Sequence, residues 1–452
     1  MKKKAFKSRT GMLTAFQNGS VWVWLSAFIW GLGNLIRRQF VKGTLFLAAE
    51  AGVVLFTIQS GLYNLDKLTT LGTVAQQKVW NDEKSIFEYV DGDRSLNILL
   101  YGIITVAIVV FGLLLLRTSV KSAYSAEQNW KKHGRAPTFE QDIKALLDER
   151  LQFSLLSLPI LGVIAFILLP LIFMSSMAFT NYSVLDSKLV LFDWVGFKNF
   201  ARTLSLNGSL GSTFWSVLGW TLVWALAATF SNYILGMLLA LFINWKEIRL
   251  KKFWRFTFVL TVAVPHFVTL LIMRQMLQPD GAINVLLQNM GWIKEPLPFF
   301  TDTMWARITV ILINIWVGVP YTLLQTTGIL QSIPQELYES AKVDGANPFV
   351  TFFKITLPYM LFVTTPYLIT SFTGNINNFN VIYLTSTGLP RAVGSTAGDT
   401  DLLITWLYKL TIDNQYYDVG AVIGIMTFVT LSIASLLTFR FSGSYRNEEG
   451  FR

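Results

Sequence analysis

The sequence predicts an all-α polytopic membrane protein. Three observations predict it. Of 452 residues, 53% are hydrophobic and only 14% are charged, whereas a soluble domain carries about 25% charged residues. The apolar residues gather into eight runs, each near the roughly 20 residues that cross a bilayer as a helix. The lysines and arginines are segregated, 25 in one alternating set of loops and termini and 10 in the other. The excess of positive charge belongs inside, which places both termini in the cytoplasm. The net charge of +10 is therefore a matter of topology and not of nucleic-acid binding. With no cysteine in the chain, disulfide and thiolate chemistry are excluded.

Residues 1–41 read as a cytoplasmic segment. The start, "MKKKAFKSRTG", resembles a signal peptide, but the apolar run 21–36 lacks a small-residue cleavage site and ends in Arg37-Arg38, so no cleavage is expected. That run is short and rich in tryptophan, which suits an interfacial or partly inserted helix. A transmembrane hairpin with its cytoplasmic loop follows over 42–152, with spans at 42–61 and 97–116. Residues 153–213 hold the third span, 154–179, and a short outside loop. The core, 214–440, carries spans at 214–243, 256–277, 305–330, 357–384 and 417–439. The tail 441–452 is cytoplasmic.

The loop between the sixth and seventh spans contains "ESAKVDGANPFVTFFKITLP". Pro334 suits the first turn of a short helix, Gly345 suits a chain reversal, and Phe349, Phe352 and Phe353 fall at helical spacing. Taken locally, the stretch is either a docking surface for a soluble partner or a loop that solvates its charges.

Its spacing is more specific. Glu339-Ser340-Ala341, three residues, Gly345, nine residues, then Ile355, one residue and Leu357-Pro358 resembles the "EAA" loop of binding-protein-dependent ABC importer permeases, with Ser340 replacing the first alanine. "NIWVGVPYTLLQTTGILQSIPQELYES", "SFTGNINNFNVIYLTSTGLP" and "DTDLLITWLYKLTID" look like the larger membrane subunit of maltose/maltodextrin importers, over roughly 214–440. The resemblance implies an ABC importer type I permease fold and makes 334–358 a coupling loop. In it Glu339, Gly345 and Ala341 would meet an ATPase, with Ser340, Ile355, Leu357 and Pro358 completing the motif. It further implies a second permease subunit, two copies of a cytoplasmic ATPase that carries ATP-Mg, and an extracellular sugar-binding protein. The outside loop 180–213 departs from the family: it is short where well-known members carry a large extra domain. The region 1–60 has little to match.

The seventh span holds Asn375, Asn377, Asn378 and Asn380, and amides in hydrocarbon mark a functional interior. At helical spacing Ser371, Gly374, Asn375 and Asn378 form one stripe, with Asn377 and Asn380 opposite. Asn314, Val317, Gly318 and Tyr321 form another on the sixth span. Amides, hydroxyls and an aromatic ring suit a sugar; amides and small residues also hold helices together. The resemblance implies a sugar site at Val317, Gly318, Tyr321, Ser371, Gly374, Asn375 and Asn378, with glycine at 374 where well-known members have an aromatic.

Other polar residues read as structural. Glu50 is expected to pair with Arg37, Arg38 or a neighbouring helix, and His266 to be a hydrogen-bonded packing residue without a second metal ligand. Pro170, Pro265, Pro320 and Pro366 allow kinks. No Gly-Lys dipeptide provides a phosphate loop, and no His-Glu-x-x-His or Gly-x-Ser-x-Gly occurs, so no enzymatic activity, cofactor or metal is expected in this chain. The function expected is transport of maltodextrin-type oligosaccharides, or of raffinose-type or galacto-oligosaccharides. A membrane enzyme acting on lipid-linked glycans would need a carboxylate pair or metal ligands, and an ion-coupled transporter would need more intramembrane charge than Glu50.

Overall fold

The computed structural model describes residues 11–81, 84, 86–149, 151–245 and 247–441. The basic N-terminal decapeptide and the tail from residue 442 lie outside the described residues. The chain divides into two compact units, residues 1–195 and 196–452.

In the first unit the 21–36 run does not make a span. It forms two short helices, Val21–Leu25 and Leu32–Ile36, preceded by a third, Met12–Asn18, none long enough to cross a bilayer. They pack on the helix Ser95–His133, which at 39 residues is about 58 Å long, well beyond the hydrocarbon thickness of about 30 Å. The junction is polar. Arg37 Nη2 meets Glu127 Oε2 at 2.8 Å, Ser20 Oγ donates to the same oxygen, and Asn34 donates to Gln39 and Ser122. Glu50 pairs with neither arginine as expected: its Oε2 accepts from the Trp30 backbone N–H at 2.7 Å, and Arg37 is taken by Glu127.

The helix Phe40–Thr70 and the helix Ser95–His133 are the first two candidate spans. The segment between them holds an antiparallel hairpin, Gln77–Asn81 with Ile86–Val90, so the fold is helical with one small β element. The third span, Leu151–Met177, buries none of its most apolar stretch within the protein. A helix apolar on every side suits a membrane span.

The second unit is built on the packing of Ser209–Asn244 against Thr303–Ser332. Small residues allow the close approach: a Cβ on Gly236 would run into Thr322, and one on Gly318 into the Asn232 amide. Asp302 caps the Thr303–Ser332 helix, accepting from the Met304 and Trp305 N–H groups at 3.0 Å each. Trp220, Trp224, Leu270, Val310, Ile313 and Ile376 form the centre of the core.

The fifth expected span is broken. Lys251–Ala263 and His266–Met276 meet at 87°. Pro265 cannot donate to a continuing helix, and Val264 before it is extended, at φ −74° and ψ 129°, as a residue preceding proline prefers. Among the described residues, seven helices are long and apolar enough to cross a membrane, or eight if this pair counts as one span. The chain is a multi-pass membrane protein.

Candidate functional site

A cavity of about 820 Å³ opens within the second unit. Val317, Gly318 and Tyr321 line it from the sixth expected span, and Ser371 and Asn375 from the seventh. These five of the seven residues expected at a sugar site share one space. Gly374 does not: with Asn377 it lines a separate groove against the last helix, beside Phe428 and Ser432, and a Cβ there would meet open space. Asn378 is also absent from the cavity lining. The helix Leu357–Ile376 ends before it, so the helical stripe drawn through 371, 374, 375 and 378 does not extend that far. Asn378 instead caps the next helix, Phe379–Thr385, its Oδ1 accepting from the Val381 N–H at 3.3 Å.

Both readings of the amides are realised in Asn375. It lines the cavity, yet its Nδ2 donates to Thr229 Oγ1 at 2.9 Å and its Oδ1 accepts from Asn378 Nδ2 at 3.3 Å. Its carbonyl oxygen accepts from Trp224 Nε1 at 3.1 Å. Tyr321 is 54% exposed and offers a ring to the open side. Thr322 and Tyr367 are joined hydroxyl to hydroxyl at 3.2 Å.

Sequence reasoning found Asn314 on the sixth-span stripe but missed Asn232 and Gln325. All three stand on the lining, and each carries a buried amide atom without a partner: Asn232 Oδ1, Asn314 Nδ2 and Gln325 Oε1. An asparagine in the middle of a hydrophobic run, as in "TFSNYILG", was the available signal for Asn232. His266 is exposed on the cavity wall where the broken helix resumes, not packed away as expected. Among the described residues no lysine, arginine, aspartate or glutamate lines this cavity, and no three of His, Asp and Glu are grouped to hold a metal.

A smaller cavity of about 200 Å³ lies near Arg307. The Arg307 guanidinium sits 4.6 Å from the Trp220 ring centre, and Nε donates to the Asp399 carbonyl at 3.1 Å. Its volume falls below the roughly 300–1,000 Å³ of small-molecule sites.

The loop 334–358 has a distinct geometry. The helix Gln335–Val343 ends in Asp344, and Gly345 follows at φ +76°. The Gly345 N–H donates to Lys342 O and the Ala346 N–H to Ala341 O, the paired bonds of a Schellman ending. Asn347 caps the next helix through the Val350 N–H. Glu339 and Ser340 are exposed and Ala341 is half-buried; Glu339 Oε1 accepts from Gln335 Nε2 at 3.0 Å. Ile355 and Leu357 are half-buried, and Pro358 is exposed. The three phenylalanines do not share a side. Phe352, where a π turn over Phe352–Thr356 begins, packs on the Tyr233 and Met360 cluster, while Phe349 and Phe353 are exposed. Tyr338 OH and Thr356 Oγ1, 3.1 Å apart, tie the loop helix to the span.

A multi-pass helical protein with a polar intramembrane cavity beside an exposed helix-turn-helix loop is a membrane permease in its architecture. The chain belongs to the family of binding-protein-dependent transport system inner membrane components, whose pattern matches residues 232–445. It is 36% identical to the galactooligosaccharides transport system permease protein GanP of Bacillus subtilis (strain 168), over 94% of this chain and 98% of that protein. It is 35% identical to the maltodextrin transport system permease protein MdxF of the same organism, over 94% and 96%. Against the maltose/maltodextrin permease MalF of Escherichia coli (strain K12), identity is 37% over 53% of this chain and 47% of that one. Among solved structures, a chain of a bacterial alginate ABC transporter, crystallised with its alginate pentasaccharide-bound periplasmic protein, shares the fold with a TM-score of 0.54 at 23% identity, over 66% of this chain and 96% of that chain.

Proposed function

We propose that this chain is the permease subunit of an ATP-driven importer for neutral oligosaccharides of the maltodextrin type. The cavity lining carries this reading. It presents amides, hydroxyls, two tyrosines and one histidine, and no charged carboxylate, lysine or arginine. Sugar hydroxyls donate and accept, as amides do, and an exposed tyrosine ring covers an apolar sugar face. A uronic-acid chain would bring buried carboxylates with no cation to meet them, which is costly.

The sugar contacts are Val317, Gly318, Tyr321, Ser371 and Asn375, with Asn378 and Gly374 acting through the helices they shape. The importer pairs this chain with a second permease, two cytoplasmic ATPase copies that bind ATP-Mg, and an extracellular sugar-binding protein. The charge asymmetry of the loops supports a cytoplasmic position for both termini and the 334–358 loop. There Glu339 and the Gly345 turn engage the ATPase, and its closure shifts the spans between inward- and outward-facing states. A galacto-oligosaccharide is the second reading, favoured by the likeness to GanP.

Liposomes holding the complete complex would be offered labelled maltotetraose, with a galactotetraose and an oligo-uronate as competitors. Uptake of maltotetraose unaffected by the uronate is the expected result. Displacement by galactotetraose at lower concentration selects the second reading, and transport of the uronate overturns both.

A further inference from the structure

We infer that a cleft between the first two spans holds the headgroup of a zwitterionic phospholipid, its phosphate on Arg94 and its primary ammonium on Asp91. The cleft lies wholly in the first unit and has no part in the sugar cavity.

Its volume is about 470 Å³, within the roughly 300–1,000 Å³ of small-molecule sites. The helices Phe40–Thr70 and Ser95–His133 pack side by side to form its walls, and residues 91–94 close its rim. The rim is firmly held. A Cβ on Gly92 would overlap the Ala75 and Gln76 backbone, so the chain leaving the hairpin lies close on the chain entering it. Asp93 accepts from Lys67 at 3.0 Å and from the Thr73 and Val74 N–H groups. Lys67 and Asp93 are thereby spent on each other. Asp91, Arg94 and Asn97 are exposed on the cleft, and among the described residues their side chains make no hydrogen bond or ion pair. Free charges at a surface are ordinarily met by water. Here their position argues for another occupant.

From Tyr63 to Thr70 and from Ser95 to Tyr101 the helices each rise about 10 Å. The two tyrosines therefore sit at a similar level on opposite walls, and at 59% and 54% exposure both rings are open to a ligand. Tyrosines gather where hydrocarbon meets headgroups, and both helices expose apolar side chains close by, such as Ile58, Leu62 and Val106. The walls thus pass from apolar groups, through two phenols, to one free cation and one free anion, the order of groups along a phospholipid. A zwitterion answers both charges. Its phosphate accepts paired, charge-assisted bonds from the Arg94 guanidinium. Its ammonium donates to the Asp91 carboxylate and the Asn97 carbonyl, beside a tyrosine face. An anionic headgroup would set its charge against Asp91, and a neutral sugar would leave both charges unanswered. A trimethylammonium has no N–H to donate.

The complete complex would be reconstituted in phosphatidylcholine liposomes holding a trace of phosphatidylethanolamine with a photoactivatable acyl chain, and the cross-linked residues mapped. Cross-links should concentrate on 55–67 and 98–113, and should be suppressed by adding unlabelled phosphatidylethanolamine but not phosphatidylglycerol. Arg94→Gln and Asp91→Asn should each lower cross-linking there roughly tenfold, the worth of one charge-assisted hydrogen bond. Neither side chain has a partner to lose, so both variants should assemble as wild type does. Asp66→Asn, at an exposed position off the cleft lining, should leave the labelling unchanged. Cross-links spread evenly over the spans, equal suppression by both lipids, or unchanged labelling in both cleft variants would each overturn the site.

Discussion

At the scale of single residues, Asn375 and Asn378 serve packing and transport together. Replacing both with alanine removes a cavity amide and an N-cap worth about 1 kcal/mol, and strands Thr229. Uptake should fall severely while the ATPase still co-purifies; uptake at wild-type rates would remove Asn375 from the site. Glu127 is a second case. It is nearly buried, with Arg37 at 2.8 Å and Lys131 at 2.6 Å. Glu127→Ala leaves Arg37 buried and uncompensated, which should cost on the order of 3–5 kcal/mol. Limited proteolysis should then cut within 12–36 far faster than in wild type, and equal rates would contradict this. Asp93 provides a pH dependence. Its hydrogen bond from Lys67, with those from the Thr73 and Val74 N–H groups, holds its carboxyl below the usual 3.8. A lowered pKa stabilises the folded state above the unfolded value and loses that contribution as pH falls through the folded value. Hydrogen exchange in the 71–94 segment should therefore stay slow at neutral pH and quicken below about pH 4. In Asp93→Asn it should be fast at both; an identical acid profile in the variant would show that another group governs it. Neither ion pair was legible in the sequence. Arg37 and Glu127 are ninety residues apart, and nothing in either neighbourhood tells a buried ion pair from two solvated charges.

At the scale of elements, hydropathy was enough to find the spans, because a run of apolar residues has only one stable use in hydrocarbon. It could not find their interruptions. Pro320 lies inside a continuous helix, Pro265 sits at an 87° break, and Pro170 and Pro358 each follow a π turn, Ile164–Leu168 and Phe352–Thr356, by two residues. The wider turn moves the carbonyl that a proline ring would otherwise strike. Which solution a proline adopts depends on neighbouring helices and not on its own flanks. The loop before the second of these π turns was more readable, since Gly345 proved to be a left-handed turn residue. Gly345→Val has room for its side chain but not for its backbone, at about 1–3 kcal/mol of strain. Glu339→Lys reverses an exposed charge and leaves the fold intact. Both proteins should insert normally. Both should lose sugar-stimulated ATP hydrolysis in liposomes or fail to retain the ATPase. Wild-type coupling in both would reduce 334–358 to an ordinary connection.

At the scale of the whole molecule, the two units differ in how far they could be foreseen. The second contains the family motif and the cavity, and its resemblance to permeases was on the surface of the sequence. The first has a polar-bonded N-terminal cluster and a β-hairpin that composition alone did not reveal, because short helices and a five-residue strand pair carry little periodicity. Orientation still rests on lysine and arginine placement, and it can be tested for each unit separately. The chain has no cysteine, so every introduced thiol reports alone. Val79→Cys in the hairpin and Val393→Cys, at a fully exposed residue of the 385–416 segment, should react with a membrane-impermeant maleimide on intact cells. Lys132→Cys and Asp344→Cys, both at exposed positions, should react only after permeabilisation. Two thiols per unit make the outcome decisive. Should Val393 and Asp344 exchange sides, the 334–358 loop would face away from any cytoplasmic ATPase and the coupling mechanism would fall, even with the cavity unchanged. Should only Val79 and Lys132 exchange, the first unit would thread oppositely to its charge bias, and the second would retain its role.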